Sequence, residues 1–338
     1  MDRLGRRQFV QRVGTAGLGV LAGCGRLPWQ AHVESASKPA RVGYLSNFPP
    51  IEGASSGTDA FREGLRELGY VEGHNILVEY RSAGGQADRL ADLAAELLGL
   101  GVAAVVTNGT LATQATKRAT DTVPIIMAAS ADPVGAGLVA SLARPGGNVT
   151  GLTQISPQLS GKRLQLLTET APSVSRVAVL WNEGQPTNAR EWAEIDHAAQ
   201  ALGVEARSLS IHSPGDLDVA FNTASQERAD GLIAVTSTLI IQSRDRIVDF
   251  AARNRWPAMF PVRDWVTSGG LMAYGANQLD LYRRAATYVD KILKGARPAD
   301  LPVEQPREFD FAINLKTAQT LGLTIPQHVL LQATEVIQ

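Results

Sequence analysis

Apolar positions along this chain recur with two periods that alternate. Short, nearly continuous apolar runs read as buried strands: RVGYLSN (41–47), NILVEYRSA (75–83), VAAVVTNGT (102–110), VPIIMAAS (123–130) and NVTGLTQ (148–154). Between them lie stretches of helical period, such as 58–70, where Phe61, Leu65 and Leu68 fall on one face, and 87–101. The runs after 110 and after 130 continue the alternation into LATQATKRATDT and DPVGAGLVASLARPGG. A second series then begins. Strands are expected at 176–184, 204–211, 231–239, 257–265 and 269–277, with helical patterns at 160–172, 188–203, 216–230 and 243–256. A long helical pattern, 279–298, and a tail from Val303 follow the second series.

Strands apolar along their whole length, separated by helices, predict parallel sheets covered on both faces. Two such series in tandem predict an α/β protein of two doubly wound, Rossmann-like lobes. In open α/β sheets a ligand lies beyond the carboxyl ends of the strands, so the turns there name the candidate site. In the first series they offer Ser46 and Asn47, then Asn108, Gly109 and Thr110, then Ser130 and Asp132. In the second they offer Trp181 and Asn182, then Thr236, Ser237 and Thr238, then Arg263 and Asp264, with Tyr274 close to the last strand. Small hydroxyls and amides with a few charges and aromatics suit a pocket that orients a small polar molecule. TNGT (107–110) is the most informative turn. Gly109 permits close backbone approach, and the helix that follows presents free N–H groups to a carboxylate; plain helix capping by Thr110 is the competing reading.

The front end adds a different kind of information. Arg3, Arg6, Arg7 and Arg12 precede a weakly apolar stretch from Val13 to Ala22, the layout of an export signal. That stretch is far short of the roughly 20 residues a membrane span needs. Cys24, the only cysteine, stands behind it in Leu21-Ala22-Gly23-Cys24, which resembles a bacterial lipobox. Residues 1–24 are therefore expected to be a signal peptide ending at a lipid-bearing Cys24, and 25–40 a tether. GRRQFVQ (5–11) also resembles a twin-arginine signal, departing from it at Gly5, Val10 and Gln11.

Beyond residue 24 the chain carries 28 basic and 32 acidic side chains, a net charge of −4 without a basic stripe. That composition argues against nucleic acid as a partner. No G-x-G-x-x-G follows the first strand, Gly161-Lys162 is followed by Arg163 rather than Ser or Thr, and the five histidines stand singly. No cofactor or metal is expected, and no catalytic residues stand out.

AFREGLRELGYVEGHNILVEYR (60–81), DPVGAGLVASLARPGGNVTGLT (132–153), SGKRLQLL (160–167), SRVAVLWN (175–182), GGLMAYGAN (269–277), RRAATYVDKILKGARPADLPVEQP (283–306) and INLKTAQTLGLTIP (313–326) resemble the ABC-transporter substrate-binding proteins of the tryptophan/tyrosine type. The resemblance implies a type I periplasmic binding fold whose lobes are joined by three crossings. Lobe 1 would hold 41–152 and 275–304, and lobe 2 would hold 153–274 and 305–338. It implies a lipid-anchored, monomeric extracytoplasmic receptor that passes an amino acid, in some relatives an aromatic one, to a membrane permease. The turn at Asn108–Thr110 would then hold the carboxylate and Asp132 or Asp264 the ammonium. A sensory module of the same fold and a cell-envelope enzyme are the alternatives.

Overall fold

The computed structural model describes residues 39–48, 57–185 and 187–338. The basic leader, Cys24 and almost all of the expected tether lie outside those residues. The first lobe opens with β1 (Ala40–Ser46), α1 (Gly57–Glu67), β2 (Ile76–Ser82), α2 (Leu90–Gly99), β3 (Ala104–Asn108), α3 (Thr110–Ala119), β4 (Ile125–Ser130) and β5 (Val149–Thr153). The second contains α4 (Ser156–Thr170), β6 (Arg176–Asn182), α5 (Asn188–Leu202), β7 (Glu205–Ile211), α6 (Leu217–Gln226), β8 (Gly231–Ala234), α7 (Thr238–Gln242), α8 (Arg244–Arg253), β9 (Ala258–Phe260), α9 (Asp264–Thr267) and β10 (Met272–Ala276). Then come α10 (Gln278–Leu293), β11 (Phe309–Asn314), α11 (Leu315–Leu321), α12 (Gln327–Leu330) and β12 (Glu335–Ile337).

One sheet has the order β2-β1-β3-β4-β5 and is parallel throughout; the other runs β12-β11-β10-β9-β8-β6-β7. The near-continuous apolar strands are explained by cover on both faces. On β6, Ala178 and Leu180 join one buried cluster while Val177 and Val179 join the cluster on the opposite face. The first sheet is sandwiched likewise, with Phe61 and Leu281 on one side and Leu90, Leu97 and Ala112 on the other. Alternate residues of a strand face opposite ways, so an apolar residue at every position is what two covered faces require.

The alternation breaks twice. Residues 132–147, expected to carry on the helical pattern, form turns instead. Pro133, Gly135, Gly137, Pro145, Gly146 and Gly147 interrupt a helix there, and Leu138 and Val139 are buried individually against Val303. The run 257–265, expected as one strand, is a three-residue strand followed by the short α9.

The chain passes between the sheets at 153–156, at 276–278 and at 304–309, because α10 packs with the first sheet and β11 with the second. The three passages are tied together. The Thr153 N–H donates to the Glu304 carbonyl at 3.0 Å and the Glu304 N–H to the Gly151 carbonyl at 2.9 Å. Asn277 accepts from the Asp280 N–H at the head of α10 and donates to Asp310 at 3.0 Å. Returning from the other lobe, β11 enters the second sheet antiparallel to β10.

Glu304 holds an electrostatic knot at this junction, pairing with Arg284 and with Arg307. Partial burial works to raise its pKa, but the Arg284 hydrogen bond and the charges of Arg284, Arg307 and Lys291 outweigh it, so the carboxyl titrates below its ordinary value. A depressed folded-state pKa contributes stability that is complete above the unfolded value of about 4.3 and is lost as pH falls through the lower folded value. Glu304→Gln is therefore expected to lower the unfolding midpoint at pH 6 and to lose that effect as the pH is taken below about 4. An equal deficit at both pH values would contradict the assignment.

Candidate functional site

The carboxyl ends of the strands in both sheets face one cleft of about 380 Å³, its opening to solvent included. Its first wall is made by Asn47 and Phe48 after β1, by Gly109, Thr110 and Leu111 at the start of α3, and by Ala129 and Ala131 around the end of β4. Its second wall is made by Gln185 after β6 and by Thr236, Ser237 and Thr238 after β8, with Gln154 at the first crossing.

Gly109 is required at its position. It has φ 94°, a conformation that L side chains rarely adopt, and a Cβ there would meet the Phe48 ring at 3.1 Å. Because Gly109 supplies no side-chain cap, the N–H groups that begin α3 at the cleft wall are left for another acceptor. Thr110 turns its hydroxyl to Ser130 and to the Ala131 N–H, both at 3.4 Å. Ser237 caps α7 by accepting from the Ile240 N–H at 3.2 Å.

The walls also touch directly. Asn47 Nδ2 donates to Thr238 Oγ1 at 2.6 Å, Gln242 Nε2 donates to the Gly84 carbonyl at 3.1 Å, and Arg190 Nη1 donates to Asp132 Oδ2 at 2.9 Å. Each contact joins one lobe to the other.

Of the twelve candidate ligand-contact residues, Asn47, Gly109, Thr110, Thr236 and Ser237 line the cleft. Ser46, Asn108 and Ser130 stand behind the wall. Asn108 donates to Ser46 and accepts from the Tyr282 hydroxyl at 2.6 Å. Burial raises the Tyr282 pKa well above its ordinary value. Asn182 accepts the Gly184 N–H at 2.9 Å on its side-chain oxygen Oδ1.

Three expected residues do not line the cleft. Asp132 stands outside the lining and accepts from Arg190 through one carboxylate oxygen and from the Gly135 N–H at 2.9 Å through the other. Asp264 is exposed at the start of α9 and is not part of the lining, because the strand expected to aim it ends four residues earlier; its neighbour Arg263 pairs with Glu335 instead. Tyr274 lies in β10 between the rings of Phe309 and Phe311, part of the layer beneath the sheet, and burial raises its pKa. Trp181 likewise packs on the core and donates to Ser208 at 2.8 Å.

The lining residues missed were Phe48, Leu111, Ala129, Ala131, Gln154 and Gln185, while Thr238 belongs to the named turn 236–238. Phe48, Leu111, Ala129 and Ala131 each adjoin a named candidate, so a wider window on the same turns finds them. Gln185 follows β6 by three residues through a loop, and nothing periodic marks it. Among the described residues, no group of three or more His, Cys, Asp or Glu side chains is placed to hold a metal ion, and no helix is long and apolar enough to cross a membrane.

Beneath the second wall lies a buried charged network. Arg163 and Glu191 are 3% and 0% exposed and 3.3 Å apart. Glu191 also accepts from Ser156 at 2.8 Å and from Asn188 at 3.2 Å, and Asn188 donates to the Thr236 carbonyl at 3.0 Å. Arg163 Nε donates to the Tyr274 carbonyl at 2.8 Å. Burial pushes the Glu191 pKa up and the Arg163 pKa down, and their mutual attraction opposes both shifts.

Comparisons with known proteins bear on this two-lobed fold. The sequence profile of the ABC transporter substrate binding proteins matches residues 51–337. The chain belongs to that family. A family relative described as a tyrosine-binding protein, from Clostridioides difficile (strain R20291), is 27% identical over 318 residues, covering 92% of this chain and 90% of the relative. The crystal structure of a Streptococcus pneumoniae ABC domain in complex with L-Trp superposes with a TM-score of 0.81 at 28% identity, over 89% of this chain and all of that one. At the level of fold alone, the likeness reaches a leucine binding protein from Thermotoga maritima, with 14% identity and a TM-score of 0.54 over 77% of this chain and 78% of that one. The fold of this substrate-binding protein is thus that of the type I periplasmic binding proteins.

Proposed function

We propose that this substrate-binding protein captures an aromatic amino acid in the cleft and delivers it to the permease of an ABC importer. The observation that carries the reading is the cleft itself. Its uncharged hydroxyls and amides come from both lobes, the N-terminus of α3 begins at its wall, and Phe48 is the one aromatic ring among its described lining residues. A free helix start suits the carboxylate common to all amino acids, and a ring at the wall suits an aromatic side chain. The relatives described as tyrosine-binding and as bound to L-Trp support the same ligand class. Export of the chain and its attachment to a membrane through acyl groups on Cys24 complete the proposal; they rest on the leader and lipobox pattern of the sequence.

The binding reading is tested by thermal unfolding of the purified protein with L-tryptophan, L-tyrosine and L-leucine in turn. Ligand at 100 times its dissociation constant stabilises a one-site protein by about 2.7 kcal/mol. The aromatic amino acids are expected to raise the melting midpoint at concentrations where leucine does not. No shift with either aromatic amino acid at millimolar concentration would refute the ligand assignment.

A further inference from the structure

Asn47 carries the most specific signal in the cleft. Its side chain is 2% exposed, its Nδ2 is committed to Thr238, and its Oδ1 is a buried acceptor with no donor among the described residues. The backbone around it is pinned. The Asn47 N–H donates to the Asn108 carbonyl at 3.4 Å, and the Asn47 carbonyl accepts from the Gly85 N–H at 2.7 Å. The side chain therefore cannot relieve its unpaired oxygen by moving the strand end that holds it. Buried polar groups are almost always hydrogen-bonded, and leaving one unpaired carries its full desolvation cost. An acceptor held this way at a cleft wall is complementary to a donor on the ligand.

The charges nearby point in the same direction. No acidic side chain lines the cleft among the described residues. Asp132, expected from the sequence as an ammonium partner, is outside the lining and bonds Arg190 and the Gly135 N–H. We propose that Asn47 Oδ1 is the group that reads the ligand's hydrogen-bond donor, and, resting on the amino-acid reading above, that this donor is the α-ammonium. The ammonium is then held by a neutral amide rather than by a carboxylate. The same amide bonds the opposite wall through Thr238, so recognition of the donor and closure of the lobes fall on one side chain.

The test pairs a ligand deletion with a residue deletion. Affinities for L-tryptophan and for indole-3-propionate, which keeps the ring and the carboxylate but lacks the amino group, are measured by calorimetry on the wild type, Asn47→Ala and Asn47→Asp. Melting midpoints without ligand confirm that each variant is folded. Wild-type protein is expected to bind indole-3-propionate at least about 10-fold more weakly than L-tryptophan, a difference that shrinks to within about 3-fold in Asn47→Ala. Asn47→Asp, which keeps an acceptor at the site, is expected to hold L-tryptophan at least as well as Asn47→Ala does and to bind indole-3-propionate worse than the wild type. If the discrimination between the two compounds survives intact in Asn47→Ala, or if the wild type does not discriminate, the assignment of Asn47 is overturned while the amino-acid reading stands. If the wild type binds neither L-tryptophan nor L-tyrosine, both readings fail together.

Discussion

Glu191→Ala is expected to destabilise the protein by about 3–5 kcal/mol, read as a fall in the thermal or urea midpoint with the cleft empty. The size comes from what is left behind. Arg163 is 3% exposed, and its guanidinium has one carboxylate neighbour, Glu191 at 3.3 Å. Its other partners are the Ser156 and Tyr274 carbonyls and the Ser160 hydroxyl. Those neutral dipoles cannot neutralise a charge taken out of water, so removing Glu191 strands a buried cation. Removing both charges is a different experiment. A buried ion pair contributes little net stability over apolar residues of similar volume, so Arg163→Met combined with Glu191→Leu is expected to recover more than half of the loss. A single Glu191→Ala variant within about 1 kcal/mol of the wild type would show that the pair is not a charged pair in the folded protein.

A comparable effect is expected at the first crossing. Gly151→Ala is expected to cost about 3–5 kcal/mol or to prevent folding, measured by unfolding or by soluble yield. Gly151 has φ 125°, outside the range open to an alanine, and a Cβ there would overlap the Met127 amide nitrogen and carbonyl oxygen on the neighbouring strand. The neighbour is backbone within a parallel pair of strands, so no rotamer change relieves the overlap. Gly151 also accepts from the Glu304 N–H, so the strain falls where two of the three passages meet. An alanine variant with the wild-type midpoint would mean that β4 and β5 can separate here without loss.

How far the site was legible follows from the kind of contact each residue makes. Asn47, Gly109, Thr110, Thr236 and Ser237 were readable because they sit within three residues of a strand end, and strand ends follow from the apolar runs. Asp132 and Tyr274 were equally close to strand ends and Asp264 stands four residues past one, yet none of the three lines the cleft. Asp132 is neutralised by Arg190, 58 positions further along the chain. Asp264 is turned outward because β9 stops at Phe260. Tyr274 faces Phe309 and Phe311 across an antiparallel pairing that forms only after the chain has crossed to the other lobe and back. Proximity along the chain predicts which loop a residue belongs to. It does not predict which partner reaches that residue first.

The sequence alone determined the two covered sheets, since a strand apolar at every position has to be enclosed on both faces, and it placed the cleft at the carboxyl ends of those strands. Only the tertiary structure decided which polar atoms are spent internally and which are left for a solute. That division depends on pairings between residues dozens to hundreds of positions apart, such as Asn47 with Thr238 and Arg163 with Tyr274. The hydrophobic period is a local property of the chain, whereas a hydrogen bond is satisfied by whichever group the closed fold brings within about 3 Å.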